Sequence, residues 1–400
     1  ALVFNKSTYK LDGLVDYGEE GTTSQEEPAD HALVLMFVPL YFDWVQPIAS
    51  FASKGAAPGH ILAKLVLNAI IQLHKHNAFV LAVVSDGAGS NKSMWTKLGI
   101  SGKFGATCHK LEHPCDPSKT LYFLCDVPHI MKCIRNHLKI HRFGQAGEHL
   151  IDYNHYRLLY EVECNEQVRA VPKLSKAHVD PDNLRKMNVR LATQLFSRST
   201  ALGIRIYRNE RRPDLESSEG TETFTRLLND LFDALNAKLP LQGIRKTSSG
   251  IKIINDFIDL LDLTERNHIT NNGIMFASAV TMQSLIVTLL SVRDIIQELL
   301  TEGAIYVLTA KLNQDPLERF FGMVRSFGGG EDHPTVITFS YIYRLLSLYT
   351  PIKTALRGNI DGEPSTVLAT MEEAMRLKKK DKQSSQDRLE LLISESFLEL

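Results

Sequence analysis

Two short apolar runs, each followed by an aspartate, constrain this chain more than any other feature. Ala78 to Ser85 (AFVLAVVS) leads into Asp86, and Leu121 to Cys125 (LYFLC) repeats the pattern into Asp126. Runs of this length without polar alternation read as strands covered on both faces, as in a parallel sheet between helix layers. In such sheets ligands gather beyond the carboxyl ends of the strands. Both aspartates stand there.

The elements around these runs complete an α/β pattern over residues 1–143. Ala1 to Phe4, Leu11 to Tyr17 and Ala32 to Leu40 are β-rich and separated by turn residues and an acidic loop, Gly18 to Asp30. Pro58 opens an amphipathic helix with Leu62, Leu65, Val66, Ala69, Ile70 and Leu73 on one face. Val127 to Leu138 reads as a helix with Ile130, Ile134 and Leu138 inward and Lys132, Arg135 and Lys139 outward. From about 143 to 304 strand runs vanish. Helical patterns take over at His149 to Cys164, Asn183 to Ser197, Phe224 to Leu239, Ile251 to Leu263 and Ile274 to Leu300, with a charged, breaker-rich loop at Arg208 to Gly220. Beyond about Leu356 the chain turns polar, and Arg376 to Lys382 (RLKKKDK) reads as a solvated helix face.

Composition narrows the function classes. With 44% apolar residues among 400, the chain can bury a large core divided into two or three domains. A formal charge of −1 excludes a uniformly basic nucleic-acid-binding surface, so contacts to DNA must come from local clusters. The five cysteines include no CxxC pair, which favours reduced thiols over a disulfide frame. Cys108-His109 and His113-Pro114-Cys115 can be drawn as a zinc site or read as loop residues without metal; their spacing matches no standard zinc pattern. No secretory signal is visible, and no apolar run reads as long enough to cross a membrane. The start at Ala1, directly in strand-like sequence, reads as a fragment or an excised core.

A third acid stands out in Leu312 to Met323 (LNQDPLERFFGM). Asp315-Pro316 signals a helix start, and Leu317, Phe320, Phe321 and Val324 recur at helical spacing toward a core. Glu318, Gly322 and Arg325 then share the opposite stripe, where a carboxylate and a guanidinium suit a metal ion beside a phosphate. Glu318 also lies three residues after Asp315, where it would close a capping box. Asp86 likewise has a plain alternative: it caps the helix beginning near Asn91 or closes a turn in SDGAGSNKSMWTKLGI. That glycine segment is neither GxxxxGK[ST] nor GxGxxG, which argues against an unrelated α/β nucleotide-binding protein.

The segment NQDPLERFFGMVRSFGG with Asp332-His333-Pro334-Thr335, the block VSD…W-T-x-L-G-I after Asp86, CDVPHIMKCIRNHL, and LATQLFS occur in an order that resembles P-element-type transposases, the THAP-domain transposase family. The resemblance covers roughly residues 1–350. It implies an RNase H-like (DDE transposase) α/β core, residues 1–143 and 305–356, interrupted by a mostly α-helical GTP-binding-like insertion, 144–304, with a polar tail, 357–400. It implies that Asp86 and Glu318 are catalytic metal ligands for Mg²⁺ or Mn²⁺, with Asp126 supporting or structural; Arg325 and His333 are expected to touch DNA phosphates. The family's first acid corresponds to a position before Ala1, so this stretch alone is expected not to cut DNA. Lys173, Asp233 and Asn236 match the family's GTP contacts, while a second family lysine falls on Asn188, next to Lys186 and Arg190. The implied partners are transposon-end DNA and GTP, without a membrane, and the implied setting is a homo-oligomer on DNA in the nucleus. The alternative is a domesticated or decayed relative that binds DNA or protein partners without catalysis.

Overall fold

The two strands that end in aspartate lie side by side. A computed structural model describes residues 3–5, 10–18, 27–212, 214–327 and 334–356 of the chain. β1 (Val3–Asn5) and β2 (Lys10–Asp12) pair antiparallel, as do β3 (His31–Phe37) and β4 (Gln46–Ser53), with a bulge at Leu35/Met36. α1 (Gly59–Lys75) follows and buries Leu62, Leu65, Val66 and Ile70. β5 (Ala82–Ser85) leads into α2 (Gly89–Lys97), a β6 (Ser101–Lys103) and β7 (Ala106–Cys108) ribbon, then β8 (Lys110–His113) and β9 (Asp116–Cys125). The central sheet runs β5-β9-β8, with β5 and β9 parallel and β8 antiparallel to β9.

α3 (Val127–His141) leaves the end of β9 and lies across the core. Leu121, Phe123, Leu124, Ile134 and Leu138 are fully buried, and each contributes roughly 1.5–3 kcal/mol relative to exposure. Lys132 and Arg135, expected outward, are buried as well. The physical reason is that α3 is covered on more than its sheet face, since the helices Val189–Leu195 and Ala279–Thr301 both pack on it. Arg135 Nη2 finds the Lys186 carbonyl at 2.7 Å, and Nε finds Asn136 Oδ1 at 2.8 Å.

The next stretch corrects the expectation that strands vanish after residue 143. β10 (Phe143–Ala146) and β11 (His149–Asp152) form a hairpin of their own, so the expected helix from His149 begins only with α4 (Asn154–Asn165). α5 (Lys176–Val179), α6 (Val189–Leu195), α7 (Arg198–Asn209), α8 (Glu219–Leu235), α9 (Gly250–Asn271) and α10 (Ala279–Thr301) complete a mostly helical body. Thr221 on α8 bonds both the Asp152 amide at 3.1 Å and His155 at 2.8 Å, knitting the hairpin to the helices. A Cβ at Gly220 would collide with the Leu150 backbone, which is why α8 can start so close to β11.

Arg208 to Gly220, expected as a mobile, breaker-rich loop, is anchored. α7 extends to Asn209, Arg208 pairs with Glu222, and Arg212 reaches Glu166 at 2.6 Å; residue 213 lies outside the described residues. α10 packs against β9 through a polar stripe, with Thr288 Oγ1 accepting from the Cys125 amide at 2.9 Å and Ser291 Oγ donating to the Phe123 carbonyl at 2.8 Å. By length and composition α10 could cross a membrane, contrary to the sequence expectation, but 67% of its apolar window is buried in the protein as a core helix.

The chain divides into two units, Ala1–Phe320 and Phe321–Leu400. α11 (Asp315–Phe327) begins in the first. In the second, Phe321 stacks on Phe339 of α12 (Val336–Leu356) at 6.2 Å between ring centroids. His333, the polar tail with RLKKKDK, Ala1-Leu2 and residues 19–26 of the acidic loop lie outside the described residues.

Candidate active site

Register puts two acids at one sheet end. Ser85 pairs with Cys125, and the Asp126 amide donates to the Ser85 carbonyl at 2.8 Å, so Asp86 and Asp126 leave adjacent parallel strands together. Asp86 closes a turn and does not cap α2, whose N-cap is Ala88. Its Oδ1 accepts from the Ala88 amide at 2.8 Å and from Asn91 Nδ2 at 2.7 Å. Oδ2 takes none of the described hydrogen bonds. A Cβ at Gly87 would stand 3.2 Å from His129 Nε2, so the glycine lets the His129 ring approach the turn.

Asp126 joins the third element to this end. It caps α3, accepting from the His129 amide on Oδ2 at 2.9 Å. Its Oδ1 accepts from the Gln314 amide at 2.8 Å, just before α11, and the Gln314 carbonyl receives the Glu318 amide at 3.0 Å. Glu318 thus lies one turn into α11, on an exposed position. Its capping-box partner is engaged elsewhere, because Asp315 Oδ2 accepts from Lys238 Nζ at 2.8 Å. Asp126 is 3% exposed, and burial pushes its pKa up to about 6. The two amides pull it down, but the Glu318 and Asp315 charges push it up again.

That balance bears on cation binding. A buried carboxyl crowded by like charges marks a place with more negative charge than its surroundings neutralise. Carboxylates are the hard oxygen donors that Mg²⁺ and Mn²⁺ prefer, but among the described residues the oxygens of Asp86, Asp126 and Glu318 are not gathered within 4.8 Å of one another.

Lys92 and His129 went unnoticed in the sequence. Lys92 Nζ sits 3.6 Å from the centre of the Trp95 ring, buried and without a hydrogen-bond partner among the described residues. Burial lowers its pKa, and the Cys125, Asp86 and Cys133 side chains oppose that fall. His129 is held low chiefly by burial, then by Lys132. The available signal was spacing: Lys92 follows Asp86 within one turn of a new helix, and His129 follows Asp126 by three.

Among the residues matched to nucleotide contacts, Asp233 and Asn236 lie together at the end of α8. Asp233 Oδ2 accepts from Asn229 at 3.0 Å, and burial with the Asp230 charge raises its pKa against that bond. Asn236 accepts from Asn313 Nδ2 at 3.1 Å, which ties the end of α8 to the segment entering α11. Lys173 is exposed between α4 and α5 and shares no described contact with either. Asn188 caps α6 through the Leu191 amide at 3.3 Å, with Lys186 and Arg190 exposed beside it. Arg325 is exposed in the last turn of α11.

Comparison with known proteins gives these features a common setting. Three family models match in chain order: TNP-like, RNase H N-terminal domain, over residues 1–99; TNP-like, GTP-binding insertion domain, over 128–248; and TNP-like, RNase H C-terminal domain, over 310–344. The Transposable element P transposase of Drosophila melanogaster is 30% identical over 343 residues, 84% of this chain and 43% of that protein. The human DNA transposase THAP9 is 26% identical over 357 residues, 86% of this chain and 39% of that protein. The chain therefore spans less than half the length of these relatives. The solved Drosophila P element transposase strand transfer complex superposes with a TM-score of 0.72 at 27% identity, covering 87% of this chain and 74% of that one. With its RNase H-like halves on either side of an insertion, and relatives that match across both, the chain belongs to the P-element-type transposase family.

Proposed function

We propose that this chain is the catalytic core of a P-element-like DNA transposase, which cuts and joins phosphodiesters at transposon ends. Mg²⁺ or Mn²⁺ would be held by Asp86 and Glu318. The observation that carries this reading is Asp126, whose carboxylate bonds α3 on one side and the entry to α11 on the other while Glu318 raises its pKa. Divalent ions at such acids supply an activated nucleophilic oxygen and a stabilised leaving oxygen.

The chain's own residues do the positioning. Ala88 and Asn91 hold one oxygen of Asp86 and leave the other for a ligand. The Asp86 charge opposes the burial that lowers the Lys92 pKa, and Lys92 makes no hydrogen bond to it. Asp126 sets the first turn of α11 and with it the position of Glu318. Arg325 would contact a DNA phosphate. In the insertion, Asp233 would accept from the guanine edge of GTP, with Asn236 beside it and Lys173 toward a phosphate. The working form would be a homo-oligomer on DNA in the nucleus.

The test is joining of a 3′-hydroxyl oligonucleotide to plasmid DNA by the full-length protein in Mg²⁺ or Mn²⁺. Asp86→Asn and Glu318→Gln should each abolish joining while DNA binding persists. Joining that survives both substitutions would remove the proposal. For the nucleotide, Asp233→Asn should weaken GTP binding, because one acceptor oxygen becomes a donor.

A further inference from the structure

The geometry points to a second metal site, unrelated to the acids, for a borderline-soft divalent ion such as Zn²⁺, held by His74, His113 and Cys115. One ligand atom from each lies within 4.8 Å of the other two. They come from separate elements. His74 is in the last turn of α1, His113 ends β8, and Cys115 lies in the tight turn into β9. Such convergence brings soft and imidazole donors to one point, a set that suits zinc, cobalt(II) or copper and suits Mg²⁺ poorly.

His113 supplies an independent observation. Its side chain is 1% exposed and stacks on Phe79 at 4.5 Å between ring centres. Nδ1 accepts from the Cys115 amide at 3.2 Å, and Nε2 is buried with no hydrogen-bond partner among the described residues. A buried polar nitrogen without a partner is costly, and a metal ion removes that cost. Burial, and then the neighbouring His74 ring, hold His113 low in pKa. Binding through Nε2 moves the ring proton to Nδ1 and gives up the long contact from the Cys115 amide. The Cys115 thiol proton goes to solvent as the thiolate binds the metal.

The other residues of the sequence-drawn cluster are committed elsewhere. His109 pairs with Asp294 at 2.8 Å, and Cys108 Sγ points to the Lys110 carbonyl at 3.5 Å. Three protein ligands leave a fourth position for water or a further donor. The site lies at the far end of the ten-residue β9 from Asp126, roughly 30 Å away at the rise of a strand. It would clamp the end of α1 to the β8–β9 turn.

The test uses the whole chain, stripped with chelator and titrated with Co²⁺. One equivalent should produce a thiolate-to-cobalt charge-transfer band that Zn²⁺ displaces, and zinc should raise the unfolding temperature. Cys115→Ser should remove the band. His74→Gln should weaken binding by no less than the roughly 10–100-fold that loss of a partner outside the coordination sphere costs. Asp86→Asn should leave the thiolate-to-cobalt band unchanged, which separates this site from the catalytic proposal. Absence of the band at one equivalent, or its persistence in Cys115→Ser, would overturn the inference.

Discussion

Two buried carboxylates, Glu222 in the helical body and Asp126 at the sheet end, are treated in opposite ways, with Glu163 an intermediate case. Glu163 on α4 is 1% exposed and accepts from the Ala170 and Val171 amides at 2.9 and 3.0 Å and from the Tyr207 hydroxyl at 2.9 Å. Glu222 on α8 is 4% exposed and held by Arg205 and Arg208; burial pushes its pKa up, but the two guanidinium groups prevail and it falls. Asp126 receives two amides, no cation among the described residues, and the field of Glu318 and Asp315, and its pKa rises to about 6. Glu222 is neutralised by cations within the protein, and Glu163 is held by three hydrogen-bond donors. The acids at the sheet end keep an excess of negative charge, and the nearby cation, Lys92, is packed on Trp95. On the proposed function, that contrast separates a structural acid from one beside a metal site.

The largest effect that would test the contrast is on Glu222. Glu222→Ala leaves two arginines without their shared partner, and the unfolding free energy should drop by about 2–3 kcal/mol in denaturant titrations. That figure is set below the value for a fully buried pair because Arg205 is 45% exposed. Divalent cation binding at the sheet end should be unchanged. If Glu222→Ala costs nothing, partnership does not distinguish the two regions.

A comparable or smaller effect is expected from pH. Because the Asp126 pKa is raised in the folded state, its contribution favours folding below the ordinary carboxylate range and is lost as pH rises through about 6. The loss is on the order of 2–3 kcal/mol. Urea midpoints measured across this window should decline on going from acid toward neutral pH, and Mg²⁺ should restore more stability at pH 7 than at pH 4. In Asp126→Asn that component of the decline should vanish. The smallest effect concerns the seam between regions. Asn236→Ala removes the acceptor for Asn313 and should cost about 1 kcal/mol by the same titration.

The sheet end was legible because unbroken apolar runs and the aspartates after them are local signals. The apolar face of α11 was legible for the same reason, with Phe320 and Val324 buried as the spacing predicts. β4 (QPIASFAS) was missed because proline and serines interrupt its alternation, and the polar β6–β7 ribbon carries no apolar face to read. Lys132 and Arg135 were placed outward because a helical wheel assumes one covered face, whereas α3 is packed on several sides. The tie between Asp126 and Gln314, and the meeting of His74 with His113 and Cys115, are contacts between distant segments. No periodicity in one stretch encodes them.

The central claim, that Asp86 and Glu318 share a divalent metal, is tested most directly by replacing Mg²⁺ with Fe²⁺ and generating hydroxyl radicals at the bound ion. Backbone cleavage should appear near residues 86, 126 and 318, be competed by Mg²⁺, and disappear in both Asp86→Asn and Glu318→Gln. Any cuts near 74 and 113–115 would belong to the other site and be suppressed by Zn²⁺ alone. Cleavage near Asp86 that persists unchanged in Glu318→Gln, or no Mg²⁺-competed cleavage near either acid, would contradict the shared site.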